Sequence, residues 1–325
     1  MASMTMLAAI RETILEEMAR DERVVLLGED VGTNGGVFRA TDGALDRFGP
    51  RRVFDMPISE SAIVGASVGL SVAGLVPLAE IQFGGFTMQA YHQIAGQLAR
   101  LRYRSRGQFA CPVTVRAAYG GGVRTPELHA DSVEAPYTHA PGLTVVVPSN
   151  AADAKGLLAS AVRAEDPVIV FEPIPCYRTS GEVPDGEHLV PLGQALEVRP
   201  GDDAVIVTWG AMVDIALAAA DVALEQRDAR VGVIDLRTLT PLDTETIVRA
   251  AERTGRVVVL HEAPITAGFG AEVVATIQEE AFYSLEAPIR RVAGYDVGSP
   301  PPLVEDWCRP DVARVVEALN TSFDA

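Results

Sequence analysis

The sequence predicts an α/β protein of two domains, the first built on a mostly parallel sheet. Three observations predict it. Short apolar runs alternate with amphipathic stretches along nearly the whole chain, as in successive strand–helix units. A segment from Pro173 to Asp202, with prolines at 173, 175, 184, 191 and 200, interrupts that rhythm. A length of 325 residues suits about two domains of roughly 150 residues each. The expected division is residues 4–180, a crossing at 181–202, and residues 203–325.

Residues Leu7–Ala19 put Ile10, Ile14, Leu15 and Met18 on one helical face, and Met1-Ala2-Ser3 before them carry no structural expectation. Val24–Leu27 reads as a buried strand that ends in Glu29-Asp30 and a Gly-rich loop. Arg52–Asp55 is then a strand, Glu60–Ala73 a helix dense in small residues, Leu78–Phe83 a strand and Met88–Arg100 a helix. Pro112–Ala117, Leu143–Val147 and Val168–Phe171 are strands, with a helix at Ala151–Ala164. Beyond the prolines, strands are expected at Ala204–Thr208, Val231–Leu236, Val257–His261 and Arg290–Ala293. Helices are expected at Val213–Leu224, Asp243–Arg253 and Ala271–Phe282.

Composition excludes several classes. A net charge of −17 repels nucleic acid and anionic membrane and suits a basic protein partner. No apolar run approaches the ~18 residues of a membrane span, and the first residues lack a signal-peptide pattern. Cys111, Cys176 and Cys308 form no paired spacing, which points to a reducing cytoplasm without disulfides or a zinc site. Lys155, the sole lysine, follows the helix-start signal Ser149-Asn150 on a helix with a mixed surface, which argues against Schiff-base chemistry.

Sites in parallel sheets gather at the carboxyl ends of strands. The candidates there are Glu29, Asp30, Asp55 to Glu60, Glu80 to Phe86, the Gly120–His129 loop, Glu172 and His261-Glu262. Glu60 reads either as a carboxylate favoured by the helix dipole or as one held among Ile58, Ile63 and Val64 to share a proton with a heteroaromatic nitrogen. His129, in a loop opened by Gly120-Gly121-Gly122 with Asp131 and Glu134 nearby, reads either as an acid/base or as a surface histidine. The three glycines match neither phosphate-loop fingerprint. Phe83 and Phe86 read as core or as a stacking platform, His92 and His139 as structural, His188 as solvated, and His261 as lining an interface or a site.

Several long segments resemble the beta subunit of the decarboxylating component of pyruvate and branched-chain 2-oxoacid dehydrogenases. They are GEDVGTNGGVFRAT from Gly28, RVFDMPISESAIVG from Arg52, AEIQFGGF from Ala79 and RYRSRGQF from Arg102. They continue with GGGVRTPELHADSVEA from Gly120, PGLTVVVPSNAADAKGLL from Pro141, VIDLRTLTPLD from Val233 and GRVVVLHEAP from Gly255. The resemblance implies a domain that binds the pyrimidine of thiamine diphosphate, followed by a transketolase-type carboxyl-terminal domain. It implies that Glu60 hydrogen-bonds a pyrimidine nitrogen, that Phe86 packs on that ring, and that Ile58 and Gln82 line its pocket. It implies that His129 assists acyl transfer to a lipoyl arm, and that the carbonyls of Val113, Ala161, Val162, Ala164 and Asp166 hold a potassium ion.

The Gly-Asp-Gly motif that holds the diphosphate and magnesium in this superfamily is absent. The resemblance therefore implies that an alpha subunit completes the site and holds the magnesium, in an α2β2 heterotetramer on which a lipoyl-bearing dihydrolipoyl acyltransferase core docks. Gly85 and His92 stand where branched-chain relatives often have aspartate, and Ala130-Asp131 where many members have Ser-Gln. Pyruvate and branched-chain acids are not separated at this level. An acetoin-cleaving system is the runner-up, a scaffold subunit without turnover a third reading, and a self-sufficient transketolase-like enzyme is disfavoured.

Overall fold

The computed structural model of the chain describes residues 2–298 and 300–325, whose strands form three sheets. In chain order the strands are β1 (Ala2–Thr5), β2 (Val24–Gly28), β3 (Val53–Asp55), β4 (Val76–Phe83), β5 (Thr114–Tyr119), β6 (Thr144–Val146) and β7 (Val168–Pro173). They continue with β8 (Ser180–Val183), β9 (Leu196–Arg199), β10 (Ala204–Thr208), β11 (Val231–Asp235), β12 (Thr238–Thr240), β13 (Val257–Pro264) and β14 (Arg290–Gly294). The largest sheet has the order β12-β6-β7-β5-β4-β2-β3 and is parallel except at β12. The second runs β14-β13-β10-β11-β9, parallel except at edge strand β9. β1 and β8 form an antiparallel pair.

Strand composition explains the layering. β2 reads Val-Val-Leu-Leu-Gly with every residue buried, and successive side chains enter opposite faces. Leu26 joins the cluster formed with helices Met6–Arg20 and Ala151–Val162. Leu27 joins the cluster that contains Ile63 and Val64 of helix Glu60–Val72. This second cluster continues into Val205, Val207, Trp209 and Ile234 of the other sheet, so one apolar core bonds the two domains. Helices begin where the sequence supplies side-chain acceptors: Asn150, Asp243 and Asp311 accept from the N–H of Asp153, Thr246 and Arg314.

Several elements differ from expectation. The helix expected over Met88–Arg100 is a 3-10 turn (Gly84–Ala90), a π-helical segment (His92–Leu98) and one short α-helix (Leu101–Arg104). A Cβ on Gly84 would stand 2.8 Å from Tyr119 Cβ, and one on Gly85 would strike the Leu128 carbonyl, so the first turn packs close against both. Gly96, inside the π-helical segment, lies beside the His92 ring. Met1 lies outside the described residues, but Ala2 and Ser3, given no structural weight above, pair with Val183 and Glu182. Lys155 is buried rather than on a mixed surface, because helix Ala151–Val162 packs on helix Met6–Arg20; its Nζ lies 3.2 Å from Glu16. The proline-rich stretch contributes β8 and β9, and a closing helix, Val312–Phe323, follows the last expected strand. β12, from beyond the crossing, returns to pair with β6 of the first sheet. Arg237 just before it is buried and donates to Asp153 Oδ1 at 3.1 Å and to the Gln194 carbonyl at 3.0 Å.

The charged strand-end candidates Glu80 and Glu172 are committed to a buried network. Arg116 of β5, 2 % exposed, donates from Nε and Nη2 to the two Glu172 oxygens at 2.8 and 2.6 Å, and from Nη1 to Glu80 Oε2. Tyr177 donates to Glu172 Oε2 at 2.6 Å. Burial raises the Glu80 pKa against the opposing pull of Arg116. One guanidinium thus ties the adjacent strands β4, β5 and β7. Removing it by Arg116→Met leaves two buried carboxylates without a cation and should lower stability by about 3–5 kcal/mol in urea unfolding at pH 7. Those carboxyls can stay buried only protonated, so the loss should shrink as pH falls towards 4. An equal loss at pH 4 and pH 8 would contradict the ionic reading.

Candidate active site

The carboxyl ends of the strands bring the candidate residues to one end of the first sheet. Glu60 opens helix Glu60–Val72 after β3 and is 5 % exposed, with Ile63 and Val64 wholly buried beside it in sequence. Ser61 Oγ donates to the Gln89 carbonyl, tying this helix to the turn that carries Phe86. Glu29, just beyond β2, is also buried; burial first, then the nearby Glu60, push its pKa up. Asp55 is turned away to the Gly32 and Thr33 amides, at 2.6 and 3.1 Å.

Phe83, Phe86 and His129 form an aromatic trio. The His129 ring centroid lies 4.5 Å from that of Phe83 and 4.9 Å from that of Phe86. Glycine makes this approach possible, since a Cβ on Gly85 would stand 2.2 Å from the Leu128 carbonyl oxygen. Any side chain at position 85 would clash with this loop. Nδ1 of His129 is 2.9 Å from the Glu127 carbonyl, an acceptor only, so Nδ1 carries the hydrogen and Nε2 presents the lone pair of the neutral ring. Leu128, immediately before it, holds φ +68 in the left-handed region, a strained conformation for a side chain of this size.

The exposed flanks of these groups are apolar. Ile58 is 85 % exposed two residues before Glu60, Met88 is 46 % exposed two after Phe86, and Leu128 is 44 % exposed. Gln82 is half-buried near the end of β4.

The triple glycine serves the protein itself. Gly121 N donates to Glu262 Oε1 at 2.5 Å, and Gly122 N and Arg124 N donate to the two oxygens of Glu305 at 2.9 and 2.8 Å. Their amides are therefore taken by carboxylates of the second domain. Sequence reasoning missed Glu305 because the short helix Glu305–Cys308 carries no motif and only folding brings it here.

His261, read as lining an interface or a site, lies against Trp209, whose indole reaches the first domain. It is fully buried and stacked on Trp209 at 5.3 Å, and burial pushes its pKa down to about 4. Trp209 Nε1 donates to Glu134 Oε1 at 3.2 Å across the domain boundary. His92 and His139, expected to be structural, are both exposed. The His188 ring packs beside Gly156 instead of lying free in solvent. Of the five carbonyls expected around potassium, Val113 O accepts from Val168 N at 3.0 Å and Ala161 O from Ala164 N at 3.1 Å. Residues 161–166 lie at the carbonyl-rich C-terminal end of helix Ala151–Val162. The Asp166 side chain pairs with Arg102.

Sequence models of the transketolase pyrimidine-binding domain and of the transketolase C-terminal domain match residues 2–179 and 193–315. Pyruvate dehydrogenase E1 component subunit beta of Bacillus subtilis (strain 168) is 48% identical over 321 residues, 98% of each chain. The same subunit of Staphylococcus aureus (strain N315) is 48% identical over 325 residues, the whole of both. The chain belongs to the family of pyruvate dehydrogenase E1 beta subunits. Its two domains are accordingly the pyrimidine-binding and C-terminal domains of the transketolase type. Among solved structures, a split-gene transketolase in an inactive β4 tetramer matches with a TM-score of 0.80, 25% identity and 99% coverage of both chains. A transketolase from Pichia stipitis matches all of this chain and 46% of its own, at 14% identity and a TM-score of 0.70. That likeness is one of fold.

Burial pushes the Glu134 pKa up to about 7, above its ordinary value of 4.5. A carboxyl whose folded pKa is raised binds its proton more tightly when folded, so its contribution to stability is present below about pH 4.5 and is lost towards pH 7. Glu134→Gln, which keeps an acceptor for Trp209 without a titrating proton, should remove roughly 3 kcal/mol of that decline. Denaturation of both forms between pH 4.5 and 8 checks this; parallel curves would contradict it.

Proposed function

We propose that this chain is the beta half of a pyruvate-decarboxylating dehydrogenase that passes the acetyl group to lipoamide. The observation that carries the reading is that buried Glu60 and the Phe83–Phe86–His129 trio lie at the same carboxyl end of the first sheet, on a chain 48% identical along its length to pyruvate dehydrogenase E1 beta subunits. The residues present fit the pyrimidine half of thiamine diphosphate: a buried carboxyl for a ring nitrogen, aromatic faces for the ring, and Ile58 and Gln82 at its margin. When bound, that cofactor supplies a carbon nucleophile that attacks the 2-oxo group and stabilises the charge left by carbon dioxide.

Each side chain then has a distinct task. Glu60 holds a proton at the pyrimidine nitrogen, and Phe86 fixes the plane of the ring. Nε2 of His129, kept as the free ring nitrogen by the Nδ1 contact to Glu127, exchanges a proton during acyl transfer to the lipoyl arm. The diphosphate half is a poor fit, since the Gly121, Gly122 and Arg124 amides are spent on Glu262 and Glu305. An alpha subunit supplies that half and the magnesium, and the exposed apolar Ile58, Met88 and Leu128 suit burial against it. An α2β2 tetramer serving a lipoyl-bearing acyltransferase core in the cytoplasm completes the reading, with the carbonyls of Val113, Ala161, Val162, Ala164 and Asp166 as a potassium site. The similar solved chain described as an inactive β4 tetramer supports a beta chain without turnover of its own.

Dye reduction with thiamine diphosphate and magnesium tests this, with the chain alone and paired with its alpha subunit. Pyruvate, 3-methyl-2-oxobutanoate and acetoin are run side by side. Activity is expected only in the pair, with pyruvate preferred, and Glu60→Gln should cut turnover by about 100-fold or more while the pair still assembles. Turnover by the chain alone, or full turnover by the Glu60→Gln pair, would refute the assignment.

A further inference from the structure

We infer that Glu305 and Glu262 are positioning residues for His129: from the second domain they latch the backbone of Gly121–Arg124 and thereby set the ring at the other end of the loop. The inference rests on the role proposed for His129 above. Glu305 is 3 % exposed and grips two amides of the loop with its two oxygens, at 2.9 and 2.8 Å. Glu262, at the end of β13, takes the Gly121 amide and is itself held by Arg309, 3.3 Å away. These are charge-assisted bonds to amides, stronger than neutral ones.

Glycine is required for that grip. A Cβ on Gly121 would stand 2.5 Å from Glu305 Oε1, and one on Gly122 would collide with the Arg309 guanidinium. Gly122 also holds φ +92, where side chains are strained.

Apart from an exposed ion pair between Arg124 and Asp306, 2.8 Å apart and open to solvent screening, little else holds this part of the loop. Gly122, Val123, Arg124, Pro126, Glu127 and Leu128 are all exposed, so apolar burial contributes little to its position. Besides Gly122, two non-glycine residues of this stretch sit in the left-handed region, Arg124 at φ +55 and Leu128 at φ +68. Such conformations persist only where the surroundings over-determine them. The Arg124 amide is fixed by Glu305, and the Leu128 carbonyl is seated over Gly85. Releasing the first anchor gives Arg124 and Leu128 freedom to relax, and the residue that swings when Leu128 relaxes is His129.

The test uses the assembled alpha–beta pair carrying Glu305→Ala, Glu305→Gln, His129→Ala, or Glu305→Ala with His129→Ala. Hydrogen exchange is followed across residues 120–131, and acyl transfer to a free lipoyl domain is measured separately from dye reduction. In Glu305→Ala, exchange should quicken about tenfold or more at Gly122 and Arg124, and also at the His129 amide, which is bonded to Pro126 O at 3.1 Å in the native loop. Acyl transfer should fall at least tenfold while thiamine diphosphate affinity and dye reduction stay within about threefold, and the double variant should be no slower than His129→Ala. Glu305→Gln, which keeps the shape and one acceptor, should fall between. Quickened exchange confined to residues 121–124, or losses that multiply in the double variant, would overturn the inference. A native pair that cannot acetylate the lipoyl domain overturns the role of His129 instead, and the exchange at its amide still decides whether the latch reaches it.

Discussion

The guanidinium of Arg116 sits where the site is built. The site residues follow the carboxyl ends of β3, β4 and β5, and Arg116 lies buried where β5 is flanked by β4 and β7. Arg116 neutralises Glu80 on one side and Glu172 on the other, and the Tyr177 hydroxyl satisfies a Glu172 oxygen. The geometry is specific because a planar fork meets Glu172 with two parallel bonds. Phe83 ends β4 and Gly120 follows β5, so the distance between the aromatic platform and the His129 loop is set just beyond this network. Replacing such a network by apolar residues of equal volume can be neutral for stability; what it fixes here is the relative position of three strand ends.

Glycine lets separate segments meet. Gly85 admits the Leu128 carbonyl, Gly121 admits Glu305, and Gly122 admits Arg309. Each is a place where backbone, and not side chain, forms the contact surface. The loop between is held at one end by the aromatic trio of the first domain and at the other by carboxylates of the second. Trp209 on Glu134, β12 on β6, and Arg237 on Asp153 cross the same boundary. With a continuous apolar core behind them, the second domain is a structural wall of the first and not a tethered neighbour.

The site is open where a partner is expected. Glu60 is buried, yet Ile58 two residues away is almost fully exposed. With Met88 and Leu128, this exposed apolar side chain suits the alpha-subunit contact proposed above.

The sequence by itself determined the alternation of strands and helices, because periodicity reports which faces are buried, and it marked Glu60, Phe86 and His129 through long family motifs. It also identified Glu80 and Glu172 as strand-end carboxylates without revealing that Arg116 consumes both, since a buried charge and a reactive one look alike in a string of letters. The helix expected over 88–100 is broken into 3-10, π and α pieces, and the close approach of Gly84 and Gly85 to Tyr119 and Leu128 just before it is a tertiary contact that periodicity does not show. Lys155 looked exposed because helical spacing cannot show a second helix packed on its other side. Tertiary structure alone decided the use of the triple glycine. Its amides face Glu262 and Glu305, residues 141 and 183 positions away along the chain, and no local pattern encodes a hydrogen bond made at that separation.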